Sequence, residues 1–171
     1  KFLVQLGQVD LEVGGDSPLR GAYEAVVQGL TSDPSLYGKP TMIRTSRSAE
    51  GSAIAGIDVS ALIDHVNPQR VRDSASARLR GVDLPTLDVP GLPFRLLPGR
   101  GAARLDFALR NDQLSGRWSL SSNQVAWVLD SAGRKLNTLE GLVWRVVSGL
   151  KDLSVDARVS GGLRAPKLAV S

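Results

Sequence analysis

The chain has 171 residues, of which 42% are hydrophobic and 22% charged, and its formal net charge is +4. This hydrophobic fraction supports a folded core and excludes a chain that is disordered throughout. Cysteine is absent, and histidine and methionine occur once each. Disulfides, cysteine nucleophiles and multi-histidine metal centres are therefore excluded. No apolar run approaches the roughly 20 residues that a membrane-spanning helix needs.

Alternation of apolar and polar residues predicts a strand over residues 2–13. The apolar parity changes within it, from Phe2, Val4 and Leu6 to Val9, Leu11 and Val13, and we expect a bulge at Gly7 and Gln8 to reset the pleat. Residues 14–18 form a Gly, Asp, Ser and Pro turn cluster. Residues 19–30 fit a helix or a strand, because a helical spacing of apolar residues is interrupted by two glycines.

The next segments predict strands of different character. Residues 41–49 fit a polar strand, and residues 52–59 place Ala53, Ala55, Ile57 and Val59 on one face. Residues 60–66 are expected to form one helical turn that stops before Pro68.

Residues 70–80 predict a strand with one basic side. Four arginines share one parity (Arg70, Arg72, Arg78 and Arg80), and the opposite parity is apolar. This pattern favours a solvated strand face that discourages edge aggregation. Contact with phosphates of nucleic acid or of lipid headgroups is the alternative.

Residues 84–98 contain four prolines and predict an edge or a loop rather than a central strand. Residues 101–129 then show the clearest pattern, a β-hairpin turning at Asn111 and Asp112 with one apolar and one polar face. The same alternation is expected to continue through Val125, Trp127 and Leu129.

Residues 137–150 are the one strong helix candidate, since apolar residues recur there at i, i+3, i+4 and i+7. Asn137 and Glu140 resemble a capping box, and the helix is expected to cap an end or edge of the sheet. Residues 153–160 alternate again, Gly161 and Gly162 are expected to turn the chain, and Leu168 and Val170 begin a further strand.

These patterns predict a mainly β protein: a curled antiparallel sheet, as a taco-like groove or an open sandwich, with one amphipathic helix. We expect residues 1–171 to form a single β-rich domain cut from a longer chain, with any signal or membrane anchor upstream. A helix of about 14 residues is only about 21 Å long, so it cannot cover roughly eight strands. The apolar faces must therefore close on each other or stay available to a ligand.

Catalytic signatures are weak. The Gly-x-Ser-x-Gly elbow and the Walker motif are missing, and Gly99-Arg100-Gly101 fits a turn before a strand better than a phosphate loop. His65 beside Asp64 fits a surface histidine better than an acid–base site. We therefore expect a protein that is not an enzyme and that uses no cofactor or metal. Nucleic-acid binding is also not expected, because no aromatic residues interleave with the arginines.

The C-terminal half resembles a known superfamily. Leu114-Ser115-Gly116-Arg117-Trp118-Ser119-Leu120 is followed by Val125-Ala126-Trp127. After the helix segment come the runs LSVDARVSGGL (153–163) and RAPKLAVS (164–171). These runs resemble the C-terminal region of AsmA-like proteins, the superfamily that includes TamB, over roughly residues 100–171. The proline-rich segment and the helix depart from that pattern.

The resemblance implies a periplasmic β structure of the bacterial envelope, with the parent chain anchored in the inner membrane. It also implies an apolar groove associated with phospholipid transport and outer-membrane biogenesis, with no catalytic residues. The partners would be phospholipid or another acyl-chain lipid, together with envelope proteins.

On this basis eight residues are predicted to line a lipid-binding groove: Leu105, Phe107, Leu109, Leu114, Trp118, Leu120, Val125 and Trp127. The tryptophans also fit ordinary core packing. The alternative function is a structural or protein-interaction module of the cell envelope, whose apolar face packs as a sandwich and whose edge strand binds a partner.

Overall fold

The computed structural model describes residues 1–15, 20–48, 54–85, 87–88, 93–123, 125–129 and 135–170. The predicted turn at residues 16–18, the residue Ala53 and most of the proline-rich segment between 86 and 92 lie outside these residues. The described part is mainly β, as predicted. The large sheet shows no strong curl, so that detail of the prediction is not confirmed.

The described residues form twelve strands and two helices. The strands are β1 (Leu3–Val13), β2 (Gly21–Thr31), β3 (Thr41–Ser48), β4 (Ile54–Asp64), β5 (Arg72–Leu84), β6 (Leu87–Asp88), β7 (Phe94–Leu96), β8 (Gly99–Arg110), β9 (Gln113–Ser122), β10 (Trp127–Leu129), β11 (Leu153–Gly162) and β12 (Ala165–Val170). The helices are α1 (Pro34–Tyr37) and α2 (Thr138–Val147).

Nine strands form one antiparallel sheet in the order β1-β2-β3-β4-β5-β8-β9-β11-β12. Every neighbour in space is also the next long strand in sequence, so the sheet is a meander built from hairpins. The hairpin between β8 and β9 turns as predicted at Asn111 and Asp112, whose φ angles are 46° and 65°. Two residues in the left-handed region match the right-handed twist of the flanking strands.

Several local predictions were wrong. Strand β4 continues to Asp64, where a helical turn was expected, and the 19–30 segment, for which helix and strand were both left open, is strand β2. The sheet pairs these segments on both sides, and that pairing overrides weak local propensity. The Gly99-Arg100-Gly101 run begins β8 instead of forming a turn, and β11 runs through Gly162, so the chain turns at Leu163 and Arg164.

The bulge expected at Gly7 and Gln8 is not formed, because β1 keeps one register against β2 from Leu3↔Thr31 to Val13↔Gly21. Leu6, which pairs with Gln28 of β2, therefore lies on the polar side of the sheet. A bulge does occur at Gly81, where the pairing of β5 with β8 shifts between Arg80 and Val82. This extra residue returns Val82 to the same side as Leu79, and both pack on one core cluster.

The second sheet is small and has the order β10-β7-β6. It packs on one end of the large sheet through a buried cluster of Leu84, Leu96 and Val125, against which Leu120 and Leu153 also pack. Helix α2 joins it through Trp144, whose ring lies 5.6 Å from that of Phe94. We call this small sheet and α2 together the cap.

Helix α2 begins with the predicted capping box. The Asn137 side chain accepts from the Glu140 backbone N–H at 2.8 Å, and the Asn137 N–H donates to the Glu140 carboxylate at 2.9 Å. These two bonds satisfy donors that a helix start otherwise leaves open. The helix ends at Val147, three residues short of the predicted end.

A second cluster joins Tyr23 of β2 to Ile54 and Ile57 of β4. Arg47 is buried beside it, with its guanidinium 5.3 Å from the centre of the Tyr23 ring. Its Nη atoms donate to the carbonyls of Arg20 and Ile54. A buried charge is tolerated here because backbone carbonyls and a ring face replace water.

The Gly81 bulge supports a stability prediction. Gly81 has φ of 60°, and a Cβ there would lie 2.8 Å from the Cβ of Ala55, so Gly81→Ala should lower the free energy of unfolding by at least about 1 kcal/mol. Gly141, inside α2, has nothing within 4 Å of such a Cβ, and Gly141→Ala should raise stability by about 0.5–1 kcal/mol. Urea unfolding of both variants measures this, and equal effects would contradict the assignment of the bulge.

Candidate functional site

The large sheet has one apolar side. Alternation along each strand and the pairing between strands fix which side chains share a side. On strands β4, β5, β8, β9 and β11 the side chains that share this side are mostly aliphatic. They are Val59, Ala61, Ile63, Ala75, Ala77, Leu79, Ala103, Leu105, Phe107, Leu109, Leu114, Trp118, Leu120, Val155, Ala157 and Val159. We call this surface the apolar face.

Six of the eight predicted groove residues lie together on the apolar face. Leu105 pairs directly with Trp118, and Leu109 pairs with Leu114. Phe107 pairs with Gly116 and fills the space above it, since a Cβ at Gly116 would lie 2.6 Å from the phenyl ring and 2.7 Å from Val159. A glycine and an aromatic ring therefore complement each other at the middle of this surface.

The other two predicted residues lie elsewhere. Val125 is only 7% exposed and belongs to the buried cluster of the cap, and Trp127 is in β10 and packs against that cluster. The alternation through 125–129 predicted a continuing strand of the same sheet, but β10 pairs only with β7. These two residues close one end of the apolar face instead of lining its open part.

Sequence reasoning missed the contributions of β4, β5 and β11. Their alternation was visible, but the pairing order that brings them beside β8 and β9 was not. Val159 illustrates this, since it pairs with Gly116 and sits next to Phe107. The apolar face is therefore at least five strands wide around the predicted hairpin.

The apolar face is not sealed. Phe107 is 40% exposed, and most of its neighbours on β4, β5, β8, β9 and β11 are only half-buried. Among the described residues, no side chain is less than 2% exposed. Single exposed apolar residues are ordinary, whereas contiguous apolar surfaces are typical of binding sites, so the apolar face is the candidate functional site.

The opposite side of the sheet is polar and basic. Arginines face each other across neighbouring strands in the pairs Arg72↔Arg110, Arg78↔Arg104 and Arg117↔Arg158. Like charges placed directly opposite each other are unfavourable, so this side depends on solvent and on nearby carboxylates. A shallow depression there is lined by Arg44, Asp58, Ser60 and Arg78 among others, a mixed-charge surface that does not suit an acyl chain.

Arg72, Arg78 and Arg80 of the predicted basic stripe lie on this polar side, as expected. Arg80 pairs with Asp58 at 2.5 Å. Arg70 precedes β5 and closes a turn with Asn67. His65 is exposed and lies 3.0 Å from Asp73, beyond the end of β4, which fits the predicted surface histidine.

Asp106 lies at the centre of the polar side. The Arg104 guanidinium, which contacts both of its carboxylate oxygens at 2.7 and 3.3 Å, lowers the pKa of Asp106 below its usual 3.8. Arg78 and Arg117 lower it further, and the same bond raises the pKa of Arg104. Arg104 and Asp106 therefore form an ion pair on the solvated side of β8.

Titration of the Asp106 carboxyl tests this ion pair. The folded-state pKa is below the unfolded one, so the pair stabilises the fold above about pH 4, and this contribution disappears as the pH falls below 3.8 towards the folded-state pKa. Carbon-detected NMR should show the Asp106 carboxyl titrating below pH 3.8, and Arg104→Met should raise its midpoint. Arg80→Met is the control, because Arg80 pairs with Asp58. An unchanged midpoint in Arg104→Met would refute the assignment.

Nothing among the described residues forms a group of three or more His, Asp or Glu side chains able to hold a metal ion. No described helix is long and apolar enough to cross a membrane. No family model, no curated protein and no solved structure matches this chain.

Proposed function

We propose that this chain is a non-enzymatic, lipid-binding segment of an AsmA-like protein of the bacterial envelope. Its apolar face would hold the acyl chains of phospholipids during transport between the envelope membranes, from a periplasmic location. The observation that supports this most directly is the apolar face, which spans several strands, is half-exposed and is covered at one end by the cap. The motifs of the C-terminal half add the family resemblance.

The energetics of such binding need no directional partner. Each buried methylene contributes about 0.8 kcal/mol, so about ten methylenes laid along the apolar face contribute up to about 8 kcal/mol. That value corresponds to roughly micromolar affinity. Aliphatic side chains and the ring of Phe107 accept a chain in many registers, which suits a surface over which lipid moves.

A second candidate function is supported by the sheet edges. In the described chain, β1 and β12 each pair with a single strand, and both expose apolar side chains such as Leu6 and Leu168. An open edge of this kind is a template for strand addition by another protein. The chain would then act as an interaction module of the envelope rather than as a lipid carrier.

An aspartate placed on the apolar face distinguishes lipid binding from the protein-interaction function. Phe107→Asp should lower co-purified phospholipid at least about tenfold, because a carboxylate in contact with hydrocarbon costs about 3 kcal/mol. Ala102→Asp is the matched control, since Ala102 is exposed on the polar side of the same strand. Lipid mass spectrometry of the gently purified proteins measures the content.

Circular dichroism must first show that both variants keep the β fold. If wild type carries no more phospholipid than the background, or if Phe107→Asp carries as much as Ala102→Asp, lipid binding by the apolar face is wrong. Retained pull-down of an envelope protein through β1 or β12 under those conditions would favour the interaction module.

A further inference from the structure

Helix α2 is apolar over more of its circumference than it buries. One row of its residues is buried or half-buried, namely Glu140, Val143, Trp144 and Val147, and Trp144 in this row contacts Phe94 of the small sheet. A second row beside them faces outward: Leu139, Leu142 and Val146 are 68%, 58% and 61% exposed. Leu150, just after the helix, continues the row at 48%. We call Leu139, Leu142, Val146 and Leu150 the outer stripe.

The outer stripe was part of the predicted amphipathic pattern of a helix that was expected to cap an end or edge of the sheet. The structure divides this pattern into two rows, because among the described residues the small sheet contacts the row that contains Trp144, through Phe94. Large apolar side chains at i, i+3 and i+7 are left projecting from the surface. Such a ridge is a docking element rather than part of the core.

The charges around the outer stripe indicate what it meets. Lys135, Arg145 and Lys151 are exposed along or beside the helix. Between residues 135 and 151 the only acidic residue is Glu140, which is buried and held in the capping box, and the exposed Asp152 follows Lys151 beyond the helix. An apolar ridge flanked by exposed cations, on a helix whose one carboxylate is buried, matches an anionic lipid surface.

We propose that α2 docks the protein onto an anionic phospholipid bilayer, with the outer stripe inserted at the boundary between headgroups and acyl chains. The cap that carries α2 closes one end of the apolar face through Leu84, Leu120 and Leu153. Docking through α2 therefore brings that end of the apolar face to the membrane. The inference extends the proposed function by naming the surface from which lipid is taken or to which it is delivered.

Site-specific fluorescence tests the insertion, and the natural absence of cysteine makes single labelling clean. Val146→Cys carrying an environment-sensitive dye should become brighter and blue-shifted on vesicles of phosphatidylethanolamine and phosphatidylglycerol. Leu36→Cys is the matched control, since Leu36 is 76% exposed on α1, away from the stripe, and should not respond. An identical response at both positions, or none at residue 146, would overturn the proposal.

Vesicle flotation measures the affinity. Changing Leu139, Leu142 and Val146 to Gln, which keeps helix propensity, should weaken binding to the same vesicles at least about tenfold. The control changes Leu36 and Leu168, equally exposed, to Gln. Arg145→Glu should weaken binding and reduce its salt dependence, whereas Lys39→Glu should not. Equal binding to pure phosphatidylcholine vesicles would refute the role of charge.

Lipid binding by the apolar face and membrane docking by α2 can be tested independently of each other. Phe107→Asp should lose bound phospholipid but still float with vesicles, whereas the outer-stripe variant should lose flotation but still bind a soluble fluorescent fatty acid. A concentration-dependent dimer that protects the dye at residue 146 without lipid would assign the stripe to a second copy of the chain and overturn membrane docking.

Discussion

The structure of this protein depends on one constraint: the apolar face of the large sheet is larger than the area that the cap covers. Nine antiparallel strands about 4.8 Å apart make a sheet nearly 40 Å wide. The cap contributes three short strands and a helix of ten residues, which is about 15 Å long. The cap seals the end that contains Leu84, Leu120 and Leu153, and the middle around Phe107 stays half-exposed.

The side of the large sheet opposite the apolar face is polar and is suited to contact with solvent. It carries arginines, aspartates and serines in register, with Arg104 bound to Asp106 and Arg80 bound to Asp58. A sheet with two apolar sides would aggregate or need a cover on both, whereas a polar side leaves one surface for binding. The Gly81 bulge preserves this division, because it returns Val82 to the apolar side after the alternation would have sent it outward.

The cap has a second role in the proposed function. Its inner surface buries Val125 and Leu96, and its outer surface carries the ridge of Leu139, Leu142 and Val146. A single helix thus separates two apolar environments, the protein interior and the proposed bilayer. On that proposal, the closed end of the sheet would lie at the membrane and the open part of the apolar face would point away from it.

By itself the sequence determined the β class, the two-sided strands, the hairpin at Asn111 and Asp112 and the capping box at Asn137, because each depends on residues close together in the chain. It also placed Leu105, Phe107 and Trp118 on one surface, since alternation has a fixed period of two. Only the tertiary structure decided that β10 leaves the large sheet, that Val125 is buried and that Val159 packs beside Phe107. It also decided which half of the α2 pattern is buried. Strand pairing and the burial of a helix face depend on contacts between segments that are distant in sequence, and local periodicity carries no information about those contacts.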